Sequence, residues 1–317
     1  MSWSEAAQPR GMTSSHRPGI GRNYLKTAML MAFLIAVLAI GGQMWGGTAG
    51  LLLFGGIGLV FNFVSYWFSD KIALRAHRAQ PVTREQAPQL HEMVERLTRR
   101  AGLPMPSLYV IPSPTPNAFA TGRSPSHAAV AVTEGIMQLL TPRQLEGVIA
   151  HELAHVKNRD ILIATIAAAV AGLVASLGHM IQWGAMLGGF GRSSDDEEGG
   201  GSNIFGALAW AILAPIIAMI IQLAVSRSRE FGADASGAEL VGDPEPLAEA
   251  LLALEKGNQV IPYQHGGPAT AHLFIVNPFA GGAQRMMNLF STHPSTEDRV
   301  QRLRELRGVL RGGIRIT

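Results

Sequence analysis

The sequence predicts a mainly α, α+β protein: a multi-span helical membrane protein that also carries a water-facing domain with a small β-sheet. Three observations predict it. Four stretches without a charged residue, about 27–47, 48–68, 161–190 and 204–225, are each long enough to cross a bilayer. The segments between and after them show the mixed charge and apolar periodicity of a soluble domain. The charged fraction is 15%, against roughly 25% in ordinary soluble proteins, so the apolar content is concentrated in the four stretches rather than spread.

The elements follow in order. Residues 1–22 are polar, rich in Gly, Pro, Ser and Arg, and lack the apolar core of a cleaved signal peptide. They read as a flexible tail. Residues 23–68 hold the first two apolar stretches, joined only by glycines, and predict a tight transmembrane hairpin. A helix rises 1.5 Å per residue, so about 20 residues cover the ~30 Å apolar core. Residues 69–160 read as the first part of a soluble domain. There Thr83-Arg84-Glu85-Gln86 has the spacing of a capping box, and Leu90, Met93, Val94 and Leu97 form one apolar stripe on the helix after it. Ser107–Ile111 and Ala128–Thr133 read as short strands, with Asn117–Gly122 as an edge strand or its flank. Thr141-Pro142-Arg143-Gln144 starts a helix, with Thr as N-cap and Pro in the first turn. Residues 161–225 predict a second transmembrane hairpin around an acidic, Gly/Ser-rich loop at 191–203. Residues 226–317 complete the soluble domain, with helices at 243–256 and from Ser295 to about Leu306 and a loop-rich stretch at 257–282. In the last helix Val300, Leu303 and Leu306 point inward.

Composition excludes several function classes. The net charge is only +3 and no Lys/Arg stripe alternates with aromatics, which argues against nucleic acid. The chain has no cysteine, so disulfides, thiolate metal sites and a thiol nucleophile are excluded. Lys and Arg flank the apolar stretches on one side: Arg10, Arg17, Arg22 and Lys26 before the first, Lys71, Arg75 and Arg78 after the second, Arg159 before the third, Arg227 and Arg229 after the fourth. The positive-inside rule then places both termini and the soluble domain in the cytoplasm.

The chemistry is carried by His151-Glu152-Leu153-Ala154-His155. Residues four apart leave the same face of a helix, so two imidazoles can grip one ion. Zinc suits neutral imidazole and carboxylate, and a catalytic site uses three protein ligands. Glu152 stands beside the ligand face, placed to take a proton from water rather than to ligate. Chance yields such a motif in a chain of this size on the order of once in a hundred. The downstream candidates for a third ligand are Glu230, Asp234, Glu239, His265, His272 and His293. Geometry favours Glu230. The third span begins about six residues after His155 and the fourth ends about five before Glu230, so an antiparallel pair brings both sets out at one height, roughly 8–10 Å above the apolar core. Asp234, one turn after Glu230, can accept a hydrogen bond from a ligand imidazole.

These residues carry a resemblance. The hairpin beginning NYLKTAMLMAF, then NAFATG, VAVTEGI, HELAHVKNRD, SREFGAD and THPSTEDRV, resembles the HtpX-type membrane zinc metalloproteases, gluzincins related to the CAAX prenyl proteases. The resemblance covers nearly all of the chain from Asn23 on; the tail before it departs from the pattern. It implies a zincin-like domain with one Zn2+ held by His151, His155 and Glu230, and Glu152 as catalytic base. It also implies an inner-membrane protease of protein quality control, acting on membrane proteins or unfolded polypeptides in the lipid bilayer.

Secondary candidates are weaker. Asn117 belongs to a segment that an extended substrate can pair with. His293 can reach a developing oxyanion or simply cap a helix. Asp160 is a candidate cap or pair near the membrane, Arg227 and Arg229 serve topology, and His179 interrupts a span. Two rival functions stay open, a prenyl-protein processing protease and a non-catalytic zinc-binding membrane scaffold. Substrates, cleavage preference, regulation and self-association as a homo-oligomer are not legible.

Overall fold

The structure is a computed structural model that describes residues 20–164, 166, 227–260, 275 and 294–312. The tail up to residue 19, nearly all of the expected second hairpin with its acidic loop, and His179, His265, His272 and His293 lie outside these residues.

The chain opens with α1 (Ile20–Ala76), one helical run broken where Gly46 and Gly47 leave the helical region, Gly47 at φ 58°. The break folds α1 into an antiparallel hairpin. The halves touch at Gly42 and Gly50, where a Cβ on either would run into the other's carbonyl. Lower down, Asn62 Nδ2 donates to the Met31 carbonyl at 2.8 Å. Two windows of this hairpin, Asn23–Ile40 and Gly46–Phe68, are long and apolar enough to cross a membrane. Their large side chains mostly face outward: Leu52, Val60 and Phe63 are 68%, 64% and 60% exposed. A core helix of a soluble protein would bury them, so this apolar surface fits lipid. The apolar run ends at Phe68, but the helix continues to Ala76, and Leu74 joins a small core with Phe119 and Ala131.

The sheet has four strands in the order β1-β2-β4-β3: β1 (Gln80–Pro81), β2 (Ser107–Ile111), β3 (Ala118–Gly122) and β4 (Ala128–Thr133). β2 and β4 run parallel; β1–β2 and β3–β4 are antiparallel. β1 has only two residues and no alternation to announce it. Between β1 and β2 lies α2 (Pro88–Ala101), which buries Leu90, Met93, Val94 and Leu97. Here one expectation is corrected. Thr83 does not cap α2: its N–H donates to Gln86 Oε1 at 2.9 Å in a separate turn, and Ala87 stands at the helix start without a side-chain cap. The box spacing closed a turn because the helix begins only at Pro88, where proline fits the first position.

After β4, Thr133 Oγ1 accepts from the Ile136 N–H and starts a short helix, α3 (Glu134–Leu139). The central helix is α4 (Pro142–Asn158), with the Thr141/Gln144 capping box complete. It is buried nearly all round and packs against α2, β3, α5 (Arg227–Val241) and α6 (Glu245–Val260). α6 runs to Val260, past the loop start expected at residue 257. The final helix α7 (Thr296–Gly312) lies on α5 and α6, with Val300 and Leu303 buried and Leu306 only half-buried. Arg304 and Arg307 pair with Glu245, at 3.2 and 3.0 Å, and fasten α7 to α6.

Candidate metal centre

α4 and α5 form the site. They approach closely because α5 carries glycine at the crossing: a Cβ at Gly237 would stand 2.9 Å from the His151 backbone nitrogen. A side chain there would push α5 away from the imidazoles. The approach brings Glu230, in the first turn of α5, against the two histidines of α4.

Among the described residues, His151, His155 and Glu230 form the group able to hold a metal ion. His155 Nε2 lies 3.2 Å from His151 Nε2 and 3.5 Å from Glu230 Oε1, and His151 Nε2 lies 3.7 Å from Glu230 Oε2. Tetrahedral zinc with ligand bonds of about 2.0–2.1 Å sets its donor atoms about 3.3–3.4 Å apart, so this triangle fits the ion. Glu239 is exposed further along α5 and is not in the group.

Each imidazole turns its other nitrogen to a carboxylate. His151 Nδ1 lies 2.9 Å from Asp234 Oδ1, and His155 Nδ1 lies 3.2 Å from Asp160 Oδ2. A proton on each Nδ1 then leaves the Nε2 lone pair for a metal. Burial alone would lower the His155 pKa, but the Asp160 hydrogen bond and the charges of Glu230, Asp160 and Glu152 raise it to about 9. Burial raises the pKa of Glu152 against the opposing pull of both imidazoles.

Glu152 itself is 6% exposed and reaches β3, where its Oε2 accepts from the Ala120 N–H at 2.8 Å. β3 is the outer strand of the sheet, and alternation along the β3–β4 ladder decides which groups face outward. The Thr133 N–H donates to the Asn117 carbonyl, so Asn117, Phe119 and Thr121 turn their backbone toward β4 while Ala118, Ala120 and Gly122 turn theirs away. Asn117 is buried, and its own N–H donates to Thr133 Oγ1.

Two site residues escaped sequence reasoning. Arg299 on α7 is 1% exposed and donates to both oxygens of Asp234, at 2.7 and 2.9 Å, and to the Ile275 carbonyl at 2.8 Å. Burial would raise the Asp234 pKa, but the Arg299 charge and hydrogen bonds, with those of His151, hold it below the usual carboxylate value. The available signal was position: Arg299 lies one turn before Leu303, on the inward face. The second is Asn23, at the start of the first apolar helix, whose Nδ2 donates to Asp160 Oδ1 at 2.7 Å. Asp160 is thus a pair to His155 rather than a helix cap. Arg229 is buried, unlike the exposed Arg227, so it is not only a topological charge.

Comparison with known proteins agrees on one family. The sequence profile described as peptidase family M48 matches residues 84–307. Proteins named Protease HtpX homolog are similar over most of the chain. That of Desulforapulum autotrophicum is 53% identical, covering 89% of this chain and 89% of its own. That of Syntrophobacter fumaroxidans is 51% identical over 90% of this chain and 100% of its own, and that of Pelotomaculum thermopropionicum 54% over 89% and 98%. Among solved structures, S. mikatae Ste24p is similar at 18% identity and a TM-score of 0.49, too slight to carry an argument; the match covers 89% of this chain and 64% of that one.

Proposed function

The chain belongs to peptidase family M48 and is a membrane metalloprotease, and from that premise we propose that it is an endopeptidase using one zinc ion to hydrolyse misfolded or damaged membrane proteins. His151, His155 and Glu230 hold the ion and Glu152 is the base. The observation that carries this reading is the setting of Glu152: a buried carboxylate with raised pKa, 2.8 Å from a backbone N–H of the outer strand and next to the ligand triangle. A structural metal site has no use for such a group, and no observation favours either the scaffold or prenyl-protein processing.

A zinc ion bound there supplies charge that polarises a carbonyl and acidifies water. The rest is done by the chain. An extended substrate adds as a further strand along the backbone groups that β3 turns away from β4, those of Ala118 and Gly122 and the carbonyl of Ala120, whose N–H is held by Glu152. Glu152 removes a proton from water and returns it to the leaving amine. Asp234 and Asp160 hold the imidazoles in one tautomer and orientation. For His293, outside the described residues, both sequence readings stand, a contact to the oxyanion or a helix cap.

The protein crosses the inner membrane four times, with both termini and the divided catalytic domain (69–160 and 226–317) cytoplasmic and residues 191–203 outside. The Lys/Arg asymmetry supports this. The chain lacks cysteine, so Ser193→Cys and Glu92→Cys can be probed singly with an impermeant thiol reagent on intact cells. Labelling is expected at position 193; labelling at position 92 alone reverses the topology.

The site's sequence distance from the spans, about one and a half helical turns on each side, keeps it near the bilayer. Loose segments at that height are therefore the favoured substrates. The test is a fusion series carrying one flexible segment at increasing distance from a membrane anchor. Cleavage should be zinc-dependent, efficient near the anchor and weaker with distance, and Glu230→Ala should lose metal and cleavage together. Equal rates at every distance, and for the unanchored form at matched concentration, remove membrane proximity from substrate choice. Metal retained at full occupancy in Glu230→Ala moves the third ligand to another residue.

A further inference from the structure

We propose that the start of the first apolar helix is a working part of the metal centre, with Asn23 as a positioning residue that holds Asp160 and, through it, the imidazole of His155. This rests on the reading of His155 as a zinc ligand.

The contact is built, not incidental. Asn23 is 2% exposed and Asp160 5%. The amide Nδ2 donates to Asp160 Oδ1 at 2.7 Å and to the Asn158 carbonyl at 3.3 Å. That carbonyl ends α4, where no intrahelical partner remains. Two acceptors on one side fix the amide's orientation, and its Oδ1 is left buried without a partner among the described residues. An unmet buried acceptor costs stability, so the arrangement keeps the donor function at the expense of the acceptor.

The chain path explains why Asp160 needs a holder. Arg159 sits in the left-handed region at φ 60°, which ends α4 and turns Asp160 back onto His155, one helical turn earlier. Asp160 then divides its oxygens: Oδ2 faces His155 Nδ1 and Oδ1 faces Asn23. Without Asn23, one oxygen of a buried carboxylate has lost its donor and the carboxylate is free to rotate off the imidazole. The other ligand has the same design. Asp234 faces His151, and its oxygens are held by Arg299 from the end of the chain. Each ligand imidazole is thus backed by a carboxylate, and each carboxylate is held by a residue far away in sequence, one of them inside the membrane hairpin.

A purely structural Asn23 would tie two helices together and leave the metal alone; a positioning residue changes the metal. The experiment measures the zinc dissociation constant of detergent-purified full-length protein by competition with a chromogenic chelator. Asp160→Ala should weaken zinc about 10–100-fold, and Asn23→Ala, one contact further out, about 3–10-fold. The double variant should bind no more weakly than Asp160→Ala, because Asn23 acts only through that carboxylate. Asn62→Ala removes a comparable buried amide from the same hairpin, away from the site, and should leave zinc affinity unchanged. Should Asn23→Ala fail to purify, Asn23→Ser, with a shorter donor, is read the same way. Unchanged affinity at position 23, or an effect that persists undiminished in the Asp160→Ala background, overturns the proposal. A wild type that binds no zinc, or a His155→Ala variant that binds it normally, instead overturns the ligand reading beneath it.

Discussion

Replacing Glu152 by glutamine is expected to lower proteolysis about 10²–10⁴-fold, the range over which a positioned general base acts, while zinc stays bound. The two side chains are nearly the same size, and the glutamine carbonyl can still accept from the Ala120 N–H that Glu152 Oε2 meets at 2.8 Å. The ligand triangle does not include Glu152, so metal content should equal that of the wild type. What glutamine lacks is a site for the proton. The measurement is single-turnover cleavage of an unfolded protein beside metal analysis of the same preparation. Activity within a few-fold of wild type would remove Glu152 as the base; loss of zinc would show that it also supports the metal.

Removing the Arg299 guanidinium should strongly destabilise the domain. Arg299→Met leaves the Asp234 carboxylate buried beside His151 without its cation, and breaking such a buried pair costs about 3–5 kcal/mol. For a domain of this size that is a fall of roughly 6–20 °C in the thermal midpoint of the metal-free protein. Arg299→Lys should recover little, because the guanidinium meets the two Asp234 oxygens and the Ile275 carbonyl from three different nitrogens, a spread that a single ammonium nitrogen does not match. Arg299→Met combined with Asp234→Asn should recover part of the loss, since no uncompensated charge remains. An unchanged midpoint in Arg299→Met would mean that the pair contributes nothing net.

How the fold and the site were legible differs residue by residue. The placement of His151 and His155 on one face, the capping of their helix by Thr141 and Gln144, the strands Ser107–Ile111 and Ala128–Thr133 and the apolar hairpin were all readable from the sequence. Each is set within one or two turns of chain, where spacing, a cap or an uninterrupted apolar run decides conformation. Short-range signals also misled. The Thr83 box closed a turn instead of a helix, and β1 has too few residues to show a period.

What only the tertiary structure decided is which groups stand behind the two imidazoles. Asp234 and Asp160 could be suspected from their positions, but Arg299 meets Asp234 across 65 residues and Asn23 meets Asp160 across 137. Nothing in the local sequence of an arginine within a helix, or of an asparagine at the start of an apolar run, signals such a partner. The physical reason is that a buried charge or amide must find its hydrogen bonds wherever packing brings a complementary group, and packing is a property of the whole chain. Close approach of α5 to α4 at Gly237, and docking of α7 on α5 and α6, turn a two-histidine motif into a candidate centre in which each imidazole faces a carboxylate and each carboxylate meets a distant partner.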